Sequence, residues 1–320
     1  MCQFDVMFNA DKIRGYRQGL EVLKPSGRLF FMKRLPTWGN RCEIGQRLSW
    51  LRRALIDQRK HQMLREISHA RYLRNSILFL LVFLGTTVLR LYPDWFDRPI
   101  AKALNNFATG HPFTNGLAHG AAYPTLEGLI VVSLLWYCWF SDTDPEVRAR
   151  LVIGAVVAVF AGFIAHFLRY MVPGTPRPIF DALLQLHAPD VLDDIDALRA
   201  SFLYSPSFPS ERATMFAGLS LAIFVRSDVG LLALGCIAVV EFSRVYLGLH
   251  YLTDIIGSFS LAAALVWFAQ IRWGSELGRW FVGWEWASPS TFYVCAFLAS
   301  YQITTAFEEL RELARSFAAW

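Results

Sequence analysis

The segment Ser243-Arg244-Val245-Tyr246-Leu247-Gly248-Leu249-His250-Tyr251-Leu252-Thr253-Asp254 places an arginine, a histidine and an aspartate at spacings that suit phosphoryl chemistry. A neutral imidazole at His250 can attack phosphorus and form a phosphohistidine. Asp254 lies four residues on, which is the same face of a helix. From there it can hold the other ring nitrogen, fix the tautomer and stabilise the imidazolium that forms. Two further segments add to this one: Arg169-Tyr170-Met171-Val172-Pro173-Gly174-Thr175-Pro176-Arg177-Pro178 and Ser207-Phe208-Pro209-Ser210-Glu211-Arg212. Arg177 and Arg244 present planar forks that match phosphate oxygens. Ser210 stands at a predicted helix start, where a hydroxyl and free backbone N–H groups can hold an anion. The arginines supply charge where a pentacoordinate phosphorus needs it. This chemistry requires no metal and no other cofactor, and Arg177, Arg212 and Arg244 would repel a divalent cation. A single His-x-x-x-Asp pair is commonly structural, and arginines at a membrane edge commonly snorkel to headgroups. Three such segments in order, all reaching one side, outweigh that plainer reading.

The elements that must position these residues are membrane helices. Hydrophobic residues make up 54% of the 320 residues and charged ones only 18%, against about 25% charge in an average soluble domain. An aromatic content of 15% excludes disorder over most of the length. The fold class is therefore all-α, a polytopic membrane helix bundle. After Asn75 the chain turns apolar, and spans are predicted near 76–92, 124–141, 150–171, 212–227, 229–248 and 251–271. The fourth is short enough to begin in a buried re-entrant turn. A seventh candidate at 290–307 is interrupted by Ser, Thr, Gln and Tyr, and Glu308 to Trp320 reads as a polar amphipathic end. Alternating the six core helices brings the three segments to one membrane face.

Residues 1–75 carry about half of all Lys and Arg. From Ile44 through Leu48, Leu51, Leu55, Met63, Leu64 and Ile67 the apolar residues recur at helical spacing, predicting a basic amphipathic helix on an anionic membrane face. A poorly ordered tail, or initiation at Met63, is the alternative. No apolar core and cleavage site of a secretory signal follow Met1. The basic bias of 1–75 and of the loops holding Arg148, Arg150, Arg226, Arg272 and Arg279 puts the N-terminus in the cytoplasm and the three segments outside it. The organisation expected is a basic segment over 1–75, a membrane domain over 76–271 and a C-terminal segment over 272–320. A net charge of +5 without a basic stripe on a folded surface argues against nucleic acid as a partner. Cys2, Cys42, Cys138, Cys236 and Cys295 lack the spacing of a metal site and read as buried or membrane-embedded thiols. The acidic run Asp190, Asp193, Asp194 and Asp196 reads as a solvated loop, and His166 as a helix-packing residue or a partner to the site.

The three segments resemble the signature motifs of the type 2 phosphatidic acid phosphatase superfamily, the integral-membrane lipid phosphate phosphatases. The family pattern is Lys, six residues, Arg-Pro; then Pro-Ser-Gly-His; then Ser-Arg, five residues, His, three residues, Asp. SRVYLGLHYLTD matches the third motif in full, and Arg177-Pro178 and Pro209-Ser210 match the first two in part. FDRPIAKALNNFATGHPF also resembles bacterial members. Over 76–271 the resemblance implies a six-helix bundle with a metal-independent site at the outer leaflet of a bacterial inner membrane. It implies His250 as nucleophile, Asp254 as its orienting partner, and Arg177, Ser210 and Arg244 as phosphate holders.

Two of the motifs depart from the pattern. The first-motif Lys falls at Tyr170, with Arg169 one residue earlier as the substitute charge. In the second motif Gly and His are replaced by Glu211 and Arg212. An arginine, with a pKa above about 12, cannot act as a general acid near neutral pH. Three explanations compete. A diphosphate substrate would expel a lipid phosphate, which leaves without a proton, and Arg212 would neutralise its charge. Glu211, His111, His119, His166 or His187 could donate instead. Alternatively, the protein binds phospholipid without turnover. The function expected is hydrolysis of a polyprenyl diphosphate, of the undecaprenyl kind, through phospho-His250. A phosphotransferase acting on a glycan or lipid acceptor and a non-catalytic lipid-binding protein are the alternatives. The partners expected are a polyprenyl or phospholipid phosphate and membrane lipids.

Overall fold

The computed structural model describes residues 69–123, 125–172, 176–187, 206–224 and 227–318. Contacts divide the chain into Met1–His61 and Gln62–Trp320, and all described residues belong to the second unit. The amphipathic helix predicted between Ile44 and Ile67, Met63, and the acidic run from Asp190 to Asp196 lie outside the described residues.

The chain enters on α1, His69–Arg90. After a 3-10 turn at Pro93–Trp95 come α2 (Asp97–Ala108), α3 (Pro112–Ala121), α4 (Leu126–Ser141) and α5 (Pro145–Met171). A second 3-10 turn, Pro178–Phe180, precedes α6 (Glu211–Ile223), α7 (Ser227–Tyr246), α8 (Leu252–Ala269), α9 (Arg272–Ala287), α10 (Pro289–Thr304) and α11 (Glu308–Ala318). No strand occurs among the described residues. The starts follow local chemistry: Asp144 caps α5 by accepting from the Glu146 N–H, and Pro145 takes the first helical position.

Among the described residues, four helices are long and apolar enough to cross a membrane: α1, α5, α7 and α8. The pair α3 and α4, bent by 49°, would make a fifth. This differs from the six predicted core spans in one instructive place. The span predicted at 212–227 is α6, only 13 residues long, below the roughly 20 that a bilayer needs. Its residues are apolar because they are buried in protein: only Glu211, Arg212 and Leu221 of α6 retain partial exposure. By contrast, α1 turns Ile77, Leu78, Leu81, Leu84 and Val88 outward, as a lipid-facing helix does. The first span also begins earlier than predicted. The segment around Arg279, read as a loop, is the helix α9. The 290–307 candidate is α10, 16 residues long.

Small residues let α5 and α6 approach closely. Gly154, Ala158 and Gly162 recur every fourth residue on α5 and face Ala222, Gly218 and Met215 of α6. A Cβ built on Gly154 would lie 2.7 Å from the Ala222 Cβ, and one on Gly218 would lie 2.8 Å from the Ala158 Cβ. Helices without a water-driven force between them associate through such close packing. This contact fixes the height of Ser210, at the start of α6, against the end of α5.

Helix direction sets the rest. The C-terminal ends of α1, α5 and α7 and the N-terminal ends of α4, α6 and α8 meet at one end of the bundle. At the other end Arg150 donates to the Tyr72 hydroxyl at 3.1 Å, Arg148 to Glu285 at 3.2 Å and Arg279 to Glu146 at 3.3 Å. Replacing Gly218 by Leu should overpack the α5–α6 contact and cost about 1–3 kcal/mol. The melting temperature in detergent should fall by several degrees, roughly 2–4 °C per kcal/mol for a domain of this size. Gly235→Leu, at a site with nothing within 4 Å, serves as the control and should not shift it.

Candidate active site

His250 sits in the turn between α7 and α8 and is 7% exposed. Its Nδ1 lies 3.3 Å from Asp254 Oδ2, and its Nε2 lies 3.0 Å from Arg177 Nη1. Arginine has no acceptor, so Nε2 must be the ring nitrogen that carries the lone pair. Nδ1 then carries the proton and donates it to Asp254. That is the tautomer a phosphorus-attacking imidazole needs. Burial, followed by the charge of Arg177, lowers the ring from its ordinary value to about 4, while Asp254 pulls the other way. The ring is therefore neutral throughout the physiological range. Burial also lowers Arg177, to about 10, with Asp254 opposing and Arg169, Arg244 and Arg212 adding to the fall. Arg177 stays charged at neutral pH, and its Nη1 also donates to the Leu249 carbonyl at 2.8 Å.

Ser210 caps α6 and is 5% exposed. Its Oγ lies 3.5 Å from His250 Nε2, and its N–H donates to Ser258 Oγ at 2.8 Å. Motif residues from three separate chain segments thus meet at one nitrogen atom: Arg177, Ser210 and His250.

Asp254 is fully buried and its charge is compensated on every side. The Tyr251 N–H donates to its Oδ2 at 2.9 Å, as a first-turn carboxylate reaching back to the helix cap. Arg90 Nε lies 3.3 Å from Oδ1. Arg90 in turn donates to Asp97 Oδ2 at 3.0 Å and to Ser207 Oγ at 2.9 Å, and lies 4.1 Å over the Tyr251 ring. Asp97 accepts from Thr253 Oγ1 at 2.5 Å and from its N–H at 3.2 Å. Sequence reasoning missed Arg90 and Asp97. The available signal was an arginine closing an apolar span, which is costly in a membrane unless partnered.

Arg244 occupies the last turn of α7. It is 6% exposed and is held by two fully buried carboxylates. Glu241, one turn earlier, accepts from its Nη1 at 3.1 Å, and Glu127 of α4 pairs with its Nη2. Glu127 and Glu241 were also missed, although each is an acid inside an apolar run. Arg244 therefore reaches the site already neutralised by protein, with its remaining N–H groups to offer.

The last two predicted residues lie nearer the surface. Arg212 donates to Glu308 of α11 at 3.1 Å. Arg169 Nη2 approaches His166 Nδ1 at 2.7 Å and Glu211 Oε2 at 3.7 Å. His166 also lies 2.9 Å from Glu211, so it belongs to this polar rim and is not a plain packing residue. Glu211 pairs further with Arg311 of α11. His111 stacks on Phe107 with its ring centroid 4.0 Å away, and His119 and His187 are exposed.

Residues 150–276 match the family model described as the PAP2 superfamily. This match bears out the resemblance to type 2 phosphatidic acid phosphatases and supports a phosphatase acting on lipid phosphates. No curated protein and no solved structure matches the chain.

Two measurements test the geometry. In a histidine NMR titration, the His250 ring should change charge near pH 4, the value burial beside Arg177 gives it. A midpoint at 6 or above would mean that the ring is open to water. Arg90→Met should leave Asp254 and Asp97 buried without their counter-charge, a loss of about 3–5 kcal/mol, visible as a lowered melting temperature.

Proposed function

We propose that the protein is a membrane lipid phosphatase that hydrolyses a polyprenyl diphosphate through phospho-His250. The observation that carries this reading is the His250 ring itself, with Nδ1 toward Asp254 and the Nε2 lone pair aimed at Arg177 and Ser210. Nε2 attacks the terminal phosphorus as the bond to the bridging oxygen breaks. The lipid monophosphate departs as an anion. Asp254 stabilises the imidazolium left on the ring, and Arg177, Arg244 and the α6 start take the charge on the transferring oxygens. Water then attacks the same phosphorus, the P–N bond breaks, and inorganic phosphate and neutral His250 are released.

Arg212 favours a diphosphate over a monoester. It has no proton to give an alkoxide, but its charge suits a phosphate that needs none. The polyprenyl tail has support of a different kind. An apolar cavity of about 510 Å³ between α4, α5, α9 and α10 is lined by Trp136, Trp139, Phe160, Phe292 and Phe307 among others. Phe307 immediately precedes Glu308, the partner of Arg212, so the cavity runs up to the polar rim. Arg148, Arg150 and Arg279 stand at the opposite end from His250. By the positive-inside rule that end is cytoplasmic and the site is extracytoplasmic.

Phosphate release from a panel of lipid monophosphates and diphosphates tests the reading. His250→Ala should lower turnover by about 10⁴-fold or more, the scale of losing a nucleophile, without changing the melting temperature. Arg212→His should raise activity on monoesters relative to diphosphates by about 10²-fold, the contribution of a general acid. An unchanged ratio would refute the leaving-group argument. Label appearing in an added acceptor in place of free phosphate would make the protein a phosphotransferase. Binding without any release would make it a lipid-binding protein.

A further inference from the structure

The two residues that break the second family motif are both held by one helix that lies beyond the family match. Arg212 donates to Glu308 Oε2 at 3.1 Å, and Glu211 pairs with Arg311. Both partners lie in the first turn of α11, three residues apart and so on one helical face. The match ends at residue 276. The pairs are crossed in sign: the acid of α6 meets the base of α11, and the base of α6 meets the acid.

The chain takes an unfavourable backbone path to make this contact. Ala306 and Phe307, between α10 and α11, have φ of 50° and 60°, a region L-residues rarely occupy. These two residues turn the chain so that α11 returns over the start of α6. Side chains fix the turn: the Phe307 ring packs 5.3 Å from Phe163 of α5, and Tyr301 of α10 bonds Glu309. The other face of α11 leaves Leu310, Leu313 and Phe317 exposed. That face is exposed in the same way as the outward face of α1, and it is the ionic face of α11 that meets α6.

We propose that α11 is part of the reaction site, with Glu308 and Arg311 as positioning residues that hold Arg212 and Glu211 at the mouth of the phosphate pocket. The inference rests on the diphosphatase reading and extends it. Arg212 is a long, partly exposed side chain, and without Glu308 its guanidinium would sample many rotamers. Held at 3.1 Å from Glu308, it keeps one edge for its partner and the other for a departing phosphate. Arg311 does the same for Glu211, whose second oxygen lies against His166 and Arg169. The lost Gly-His pair of the motif is thereby replaced by a pair that needs outside support, and α11 supplies it. Ion pairs that reach solvent contribute little to stability, and each of these has a partner at the surface, Glu308 at 44% and Arg311 at 29% exposed, so the effect expected is on the reaction more than on folding.

A double-mutant cycle between Glu308 and Arg212 tests this. On a polyprenyl diphosphate, Glu308→Ala should lower kcat about tenfold with little change in KM, the scale of a misplaced charge near the reacting group. In an Arg212→Ala background the same change should cost less than about twofold, because nothing remains to be positioned. Arg311→Lys should restore most of what Arg311→Ala loses. Equal losses in both backgrounds, or no loss in either, would overturn the proposal. Melting temperatures accompany every variant, and Glu308→Gln replaces the alanine if that protein does not fold. The same cycle read as affinity for inorganic pyrophosphate needs no turnover. Coupling there in a protein that releases no phosphate would sink the phosphatase reading and keep the clasp. Additive effects in an active protein would do the reverse. A wild-type protein that does not bind pyrophosphate would overturn the clasp as well, since α11 would then guard no anion pocket.

Discussion

The carboxylate of Asp254 is the group around which this end of the bundle is built. It has no solvent-exposed surface, and an uncompensated buried charge costs several kcal/mol. Compensation comes from Arg90, the Tyr251 N–H and the His250 ring. Each of these fixes something else. Arg90 ties the end of α1 to Asp97 and to Ser207, so the approach to α6 is anchored through the same guanidinium. The Tyr251 N–H sets the first turn of α8. The ring, with its proton committed to Asp254, has its lone pair facing the pocket. One buried charge thus determines the entry to α6, the start of α8 and the tautomer of the His250 ring.

Helix polarity explains why opposite charges accumulate where they do. At this end Glu127, Glu211 and Asp254 stand in the first turns of α4, α6 and α8. Arg90, Arg169 and Arg244 stand in the last turns of α1, α5 and α7. Acids near helix starts and bases near helix ends are each favoured by the backbone dipoles. Because neighbouring helices run in alternate directions, the two sets interleave. An anion site made only of arginines would repel itself in a low-dielectric medium. Here Arg244 is held between Glu127 and Glu241, so the charges are stable before any phosphate arrives. Arg177 donates to the Leu249 carbonyl and sets the same Nη1 against the His250 ring.

Local relations were legible in the sequence, and relations between distant segments were not. The His250–Asp254 pair follows from a four-residue spacing, and the role of Ser210 as a cap follows from its place before a helical run. Neither needs knowledge of the fold. Arg90, Asp97, Glu127 and Glu241 reach the site from four helices and belong to none of the three motifs, so their cost in an apolar setting is what marks them. The surroundings of α6, expected as a short span, were not legible because an apolar run reads alike whether protein or lipid surrounds it. The closing segment was recognised as amphipathic. Its partner was hidden because an ion pair about a hundred residues apart leaves no periodicity to read.

Depth orders the arginines in a way that bears on the substrate. Arg177, Ser210 and His250 are each under a tenth exposed and meet at one nitrogen. The Arg169 and Arg212 side chains, at 14% and 24% exposed, lie at the rim, and Phe307, which lines the apolar cavity, immediately precedes Glu308, the partner of Arg212. A lipid monophosphate bound for attack at His250 would fill only the inner tier, leaving its alkoxide oxygen at a rim that offers no proton from arginine. On the proposed reading a diphosphate would fill both: terminal phosphorus against Nε2, second phosphate against the rim, hydrocarbon beyond. On this reading the replacement of His by Arg at position 212 is a change of leaving group and not a loss of function. The clasp proposed above gives that guanidinium its counter-charge, Glu308, at 3.1 Å.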